Sequence, residues 1–147
     1  MKKVLVICAD EDAKNQIAAG YLRFYGHNFL EVFPISYSLS NQDLAYKVML
    51  EDGINIAQSL TYTFENLSTQ EFDFSIIITT TKEIELPTAL ESKKKLVWKL
   101  KGNMNKIATS EQQLQYFQEV REQLKTLVVK FVGKELLVSS DYLFSLK

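Results

Sequence analysis

The chain has 147 residues, 46% of them hydrophobic and 24% charged, the composition of one globular domain and far from that of a disordered tract. Seventeen basic against eighteen acidic side chains leave a net charge of −1, which argues against a nucleic-acid or membrane-surface binder, because both need a basic excess. A single cysteine, Cys8, and a single histidine, His27, exclude an internal disulfide, a two-cysteine relay and the usual zinc cages, so no metal or cofactor is expected. No apolar run reaches the roughly 18 residues that a membrane span needs. Lys2-Lys3 and the apolar run that follows imitate the start of a signal peptide, but the run is short and Asp10-Glu11-Asp12 stands where small residues belong. The expectation is a cytoplasmic domain.

Strands and helices alternate along the chain. Residues 4–8 form a continuous apolar run, the mark of a strand buried on both faces. Over residues 14–25, Ile17, Tyr21 and Phe24 recur at helical spacing, and Gly26 is placed to stop that helix; Tyr21, Phe24 and Tyr25 are expected in the core. Residues 30–37 read as a second strand, which Pro34 assigns to a sheet edge because proline cannot donate to a ladder. Ser40 and Asp43 mark the start of a second helix that carries Leu44 and Val48 and ends at Gly53. Residues 74–81, with three successive isoleucines followed by threonines, form the strongest strand. After Pro87 a weak helix is predicted over residues 88–94, then a short strand over 96–100. The last helix has a capping box predicted at Ser110 and Gln113, an apolar stripe through Phe117, Val120, Leu124, Leu127, Val128 and Phe131, and an expected stop at Gly133.

Such alternation predicts an α/β fold: a four-stranded parallel sheet with helices on both faces, a three-layer flavodoxin-like architecture. Residues 1–133 are expected to form the domain. Residues 134–147 form an apolar extension, packed on the domain or on a partner subunit. Ligands in such sheets bind where strand C-termini meet helix N-termini, here the stretch from Cys8 to Asn15.

In that stretch Cys8, five intervening residues, and Lys14-Asn15 at a helix start resemble the phosphate loop of low-molecular-weight tyrosine phosphatases and the related arsenate reductases. Gln16 to Gly20 (QIAAG), Ala45 to Ile56 (AYKVMLEDGINI), Phe72 to Thr79 (FDFSIIIT) and Phe117 to Leu124 (FQEVREQL) extend the resemblance in order over most of the chain, more closely to the arsenate-reductase branch. The resemblance implies that Cys8 takes the position of the nucleophile. Lys14 takes that of the arginine that grips the oxyanion, and Asn15 that of the serine. The backbone of Ala9, Asp10, Glu11, Asp12 and Ala13 would line the cradle. In the family a cysteine thiolate attacks phosphorus or arsenic while amides and the helix N-terminus hold the anion, and an aspartate protonates the leaving oxygen.

Against that pattern the sequence departs four times. Lys14 keeps the positive charge but lacks the planar fork of arginine. Asp10, Glu11 and Asp12 replace the usual glycine and asparagine, so residues 8–15 carry a net charge of −2. At about 8 Å and an effective dielectric near 20, each carboxylate repels each unit of ligand charge by roughly 2 kcal/mol. No aspartate lies between Asp73 and Asp141, and the segment after Trp98 reads Lys99-Leu100-Lys101-Gly102-Asn103; a missing general acid costs on the order of 10² to 10⁴ in rate. Finally, Thr79-Thr80-Thr81-Lys82 stands where thioredoxin-coupled arsenate reductases carry resolving cysteines.

The expected function is therefore that of a degenerate member with weakened catalysis, acting by binding or regulation through a small oxyanion or a basic protein partner. The alternative is a divergent arsenate reductase or phosphatase that uses Cys8 with an external thiol. Plainer readings stand beside these. Cys8 also fits a buried strand end, Lys14 an ordinary first-turn lysine, and the acidic triplet either a solvated loop or a cation site. His27 reads as a surface turn residue. Lys93-Lys94-Lys95 with Lys99 and Lys101 around Trp98 reads as a solvated helix end or an acidic-partner surface. No nucleic acid or membrane is expected as a partner, and the chain is expected to be a monomer or homodimer.

Overall fold

The structure is a computed structural model that describes residues 1–8, 13–35, 42–57, 60–80, 91–102 and 109–136. Its elements in chain order are β1 (Lys2–Cys8), α1 (Lys14–Gly26), β2 (Leu30–Ile35), α2 (Gln42–Glu51), β3 (Phe72–Thr79), β4 (Ser92–Lys99) and α3 (Ser110–Glu135). All four strands are parallel, in the order β2-β1-β3-β4. β1 therefore lies inside the sheet, and Val4 to Ile7 are fully buried, as an unalternated apolar run requires.

One face of the sheet carries the larger core. Val4, Val6, Phe74, Ile76 and Ile78 pack with Ile17, Tyr21 and Leu22 of α1, Val48 and Met49 of α2, and Phe117, Val120, Leu124 and Val128 of α3. Phe131 meets Phe74 edge-on at 5.0 Å and Trp98 at 6.3 Å, which fixes the end of α3 over β3 and β4. On the other face Leu5, Ile7, Phe33 and Ile35 are covered by Leu67 of a 3₁₀ helix (Glu65–Leu67), with Tyr62 and Phe64. Burying each such side chain contributes about 1.5–3 kcal/mol.

Pro34 does sit on an edge strand. Its carbonyl accepts the Tyr62 N–H at 2.9 Å, so the side of β2 that Pro34 presents without a donor faces away from β1. α2 ends as expected at Gly53, whose φ of 77° suits glycine. There the Ile54 N–H reaches the Met49 carbonyl and the Gly53 N–H that of Leu50, a Schellman closure. Gly26 acts differently from expectation. It keeps a helical φ, while His27 takes the positive one at 50°; Gly26 is needed because a Cβ there would meet Leu30 Cδ1 at 2.6 Å.

Several expectations are corrected. Residues 92–94 are not helical but open β4, which begins four residues before the predicted strand: the ladder to β3 extends back to Ser92, whose hydroxyl lies 2.7 Å from that of Ser75. The lysine cluster accordingly stands on an edge strand, not a helix end, with Lys94 paired to Glu135 at 2.7 Å and Lys93 to Asp73 at 3.4 Å. β3 begins at Phe72 and ends at Thr79. The capping box lies one residue earlier than predicted, at Thr109 and Gln112. α3 passes through Gly133, because Val132 and Leu136 prolong the buried stripe and the Glu135–Lys94 pair holds its last turn. Phe24 is 56% exposed, on the outer face of α1. The predicted strand end at 36–37, Ser40, Pro87 and the stretch 137–147 fall outside the described residues.

Helices also meet through a polar flank. The Tyr21 hydroxyl donates to Asp52 at 2.8 Å, Lys125 reaches the same carboxylate at 3.0 Å, and Arg121 binds Glu51 at 2.9 Å and the Val48 carbonyl at 3.0 Å. Burial first, then the Asp52 hydrogen bond, pushes the Tyr21 phenol well above its usual range. The Tyr21 hydrogen bond, followed by that from Lys125, holds Asp52 below the usual carboxylate range.

Candidate functional site

β1 ends at Cys8 and α1 begins at Lys14, so the strand-to-helix junction falls where the sheet rule places a ligand. Cys8 is 2% exposed and stands opposite Ile78 in the β1–β3 ladder, which brings the buried Thr79 at the end of β3 beside it. Ala9, Asp10, Glu11 and Asp12 fall outside the described residues; Ala13, Lys14 and Asn15 are described, and all three are buried. Ala13 is the N-cap of α1 and supplies no side-chain cap; its carbonyl accepts the Gln16 and Ile17 amides. The helix has no acidic residue in its first turn, so its dipole leaves a positive end at this junction.

Lys14 and Asn15 leave the junction in two directions. The Asn15 amide donates to the Ile35 carbonyl, tying the first turn of α1 to the C-terminal end of β2. Lys14 is 1% exposed, and its ammonium lies 5.3 Å from the centroid of the Tyr116 ring on α3. An ammonium so placed gains about 2 kcal/mol from the ring once water is excluded. Taking a cation out of water costs several kcal/mol, and a buried lysine is accordingly kept only where something offsets that cost. The plain first-turn, solvated lysine is thus not what the fold contains.

Tyr116 and Thr79 were missed by sequence reasoning. Tyr116 is 5% exposed and packs edge-on against Phe117 at 5.5 Å. Its other side is approached by Gly102, whose φ is 117° and where a Cβ would meet Tyr116 Cε1 at 2.9 Å; only glycine satisfies both conditions. The same segment is clamped to α3 by Gln123, which accepts the Lys101 N–H at 2.8 Å and donates to the Lys101 carbonyl at 3.0 Å. One signal was available: Tyr116 lies four residues before Val120 and so extends the apolar stripe of α3 toward Gly102 in the segment after Trp98. The junction thus gathers a thiol, a buried cation, a helix N-terminus and an aromatic cover, all at the C-terminal edge of the sheet. Among the described residues no helix is long and apolar enough to cross a membrane.

No protein-family model matches the sequence, and comparison with curated proteins finds no match. Solved structures do match. An arsenate reductase in its phosphate-binding state is 24% identical, with a TM-score of 0.69 over 91% of this chain and 98% of that one. An arsenate reductase in its reduced state is 24% identical, with a TM-score of 0.71 over the same shares. A tyrosine phosphatase of Erwinia amylovora is 12% identical, with a TM-score of 0.64 over 90% of this chain and 92% of that one.

Proposed function

Starting from the fold of the low-molecular-weight tyrosine phosphatases and arsenate reductases, which this chain has, we propose that it binds a small oxyanion at the β1–α1 junction with little or no turnover. Lys14 carries this reading: a cation kept at the first turn of α1, 1% exposed and covered by Tyr116, stands where the resemblance puts the anion-gripping arginine. As a point charge it attracts an anion without the two-pronged contact that orients a transferring group. The sequence also lacks an aspartate between Asp73 and Asp141 to protonate a leaving oxygen, and it adds three carboxylates to the loop. Affinity for the anion is thus retained in part, while the attack and the proton donation are both impaired. We place the protein's role in binding or regulation, with a basic protein partner as the other ligand that suits the acidic loop.

A second reading is favoured by Cys8, which ends β1 beside Thr79 in the position of the nucleophile. It is a divergent arsenate reductase or phosphatase in which an external thiol completes the cycle begun by Cys8, since the chain holds no other cysteine. One set of assays separates the two. Phosphate, sulfate and arsenate should raise the melting temperature of the wild type and of Cys8→Ser, and not that of Lys14→Met. Hydrolysis of an aryl phosphate, and arsenate reduction with glutathione and glutaredoxin, should stay near background. Turnover in the wild type that disappears in Cys8→Ser would establish the second reading and overturn the first.

A further inference from the structure

At the opposite end of the sheet lies a cavity of about 670 Å³, within the range of small-molecule sites. It is lined by Arg23 from the last turn of α1, Leu30, Glu31 and Val32 from the start of β2, and Asn55 and Leu60 from the segment after α2. Leu30 pairs with Lys2 at the beginning of β1, so six residues of strand, roughly 20 Å, separate the Leu30 end of the cavity from Cys8, while Tyr62, which also lines it, bridges Ile35 on the outer side of β2.

Arg23 is the unusual group. Its side chain is half-buried, and among the described residues its guanidinium makes one hydrogen bond, to the Val32 carbonyl at 3.2 Å, and no ion pair. A guanidinium has five N–H donors, so most of its capacity is left to whatever enters the cavity. Desolvation lowers its pKa, opposed by the charge interaction with Tyr62. Closing the helix end does not account for it, since that role is met by an exposed arginine as well. The remaining lining is mixed: Leu60 is 68% exposed, an apolar side chain with no cover, and the Asn55 side chain offers an amide. Glu31 is exposed on the rim and makes no ion pair with Arg23, so the two charges balance without neutralising each other.

We propose that this cavity is a second binding site, for a small singly charged carboxylate with an apolar body. The carboxylate takes the free edge of the Arg23 guanidinium in a bidentate contact, and the body lies against Leu60 and the half-buried Tyr62. A doubly charged phosphate is disfavoured because the same rim carries Glu31.

The test is calorimetric titration of the full chain with 4-methylvalerate, its neutral amide, and inorganic phosphate. Saturable binding is expected for the carboxylate, with the amide weaker by about tenfold or more. Arg23→Gln should lose the same factor while keeping its far-UV circular dichroism, and Arg23→Lys, which preserves the charge without the fork, should fall between. Phosphate competition at the site must be weak, and Lys14→Met must leave carboxylate binding unchanged, which separates this site from the β1–α1 junction. Absence of saturation, equal affinity in the two Arg23 variants and the wild type, or displacement of the carboxylate by phosphate at comparable concentration would each overturn the proposal.

Discussion

Two polar regions meet α1 and they differ in kind. At its first turn, Lys14 and Asn15 are buried, and the fold brings to each a contact from far along the chain, Tyr116 to Lys14 and the Ile35 carbonyl to Asn15. Along its outer flank, Tyr21 reaches a cluster of Glu51, Asp52, Arg121 and Lys125 whose charged ends are open to water. Water screens the flank, so any one of its pairs contributes little. No such screening reaches the junction, where a charge is either matched or expensive. Among the described residues, exposed ion pairs gather on the flank, whereas the junction holds a buried lysine whose charge is costly to keep.

Lys14 gives the sharpest way to break that contrast. Lys14→Ala should cost about 2–4 kcal/mol in urea denaturation, since it opens a cavity beneath Tyr116. Lys14→Met, which fills the space without the charge, should be within about 1.5 kcal/mol of the wild type or more stable. A large loss in both variants would mean that the charge itself holds the junction together. Asn15→Ala should come next, at about 1–3 kcal/mol, because the buried Ile35 carbonyl loses its donor.

On the flank the effects should shrink. Tyr21→Phe removes the hydrogen bond to Asp52 and should cost about 0.5–1.5 kcal/mol at neutral pH. It should also flatten the acid limb. Asp52 has a depressed folded pKa, so its contribution is present above the unfolded value of about 3.9 and is lost as pH falls through the folded one. Urea midpoints of wild type and variant should therefore converge on going from pH 7 to pH 3. Smallest of all, Lys125→Gln should change stability by less than about 1 kcal/mol, and salt should erase the change. A salt-resistant loss from Lys125→Gln would place the flank on the same footing as the junction.

Much of the fold could be read from residues with strong periodic signals. β1 carries a continuous apolar run, β3 three successive isoleucines and α1 a 3.6-residue period, and Pro34 and Gly53 mark an edge and a helix end for stereochemical reasons that hold in any context. β4 was misplaced because its first half is Ser92-Lys93-Lys94-Lys95, which has no alternation to detect; its pairing is imposed by β3 and not by its own side chains. α3 overran Gly133 because a tertiary ion pair and Leu136 outweigh the local preference of glycine to end a helix. At the junction, Cys8, Lys14 and Asn15 stood out by their resemblance to a family phosphate loop, but the burial of Lys14 could not be read there. A lysine in a first turn normally reaches solvent, whereas here its ammonium lies over Tyr116, 102 positions away in sequence.

The two outer strands also bear on how copies of this chain can meet. On one border, proline removes a donor at position 34 and the Tyr62 amide already occupies the adjoining carbonyl. On the other, a run of three lysines charges the border against a like neighbour. Lateral growth of the sheet into fibrils is thus opposed from both sides by unrelated chemistry, and replacing Pro34 alone would leave the lysine barrier standing.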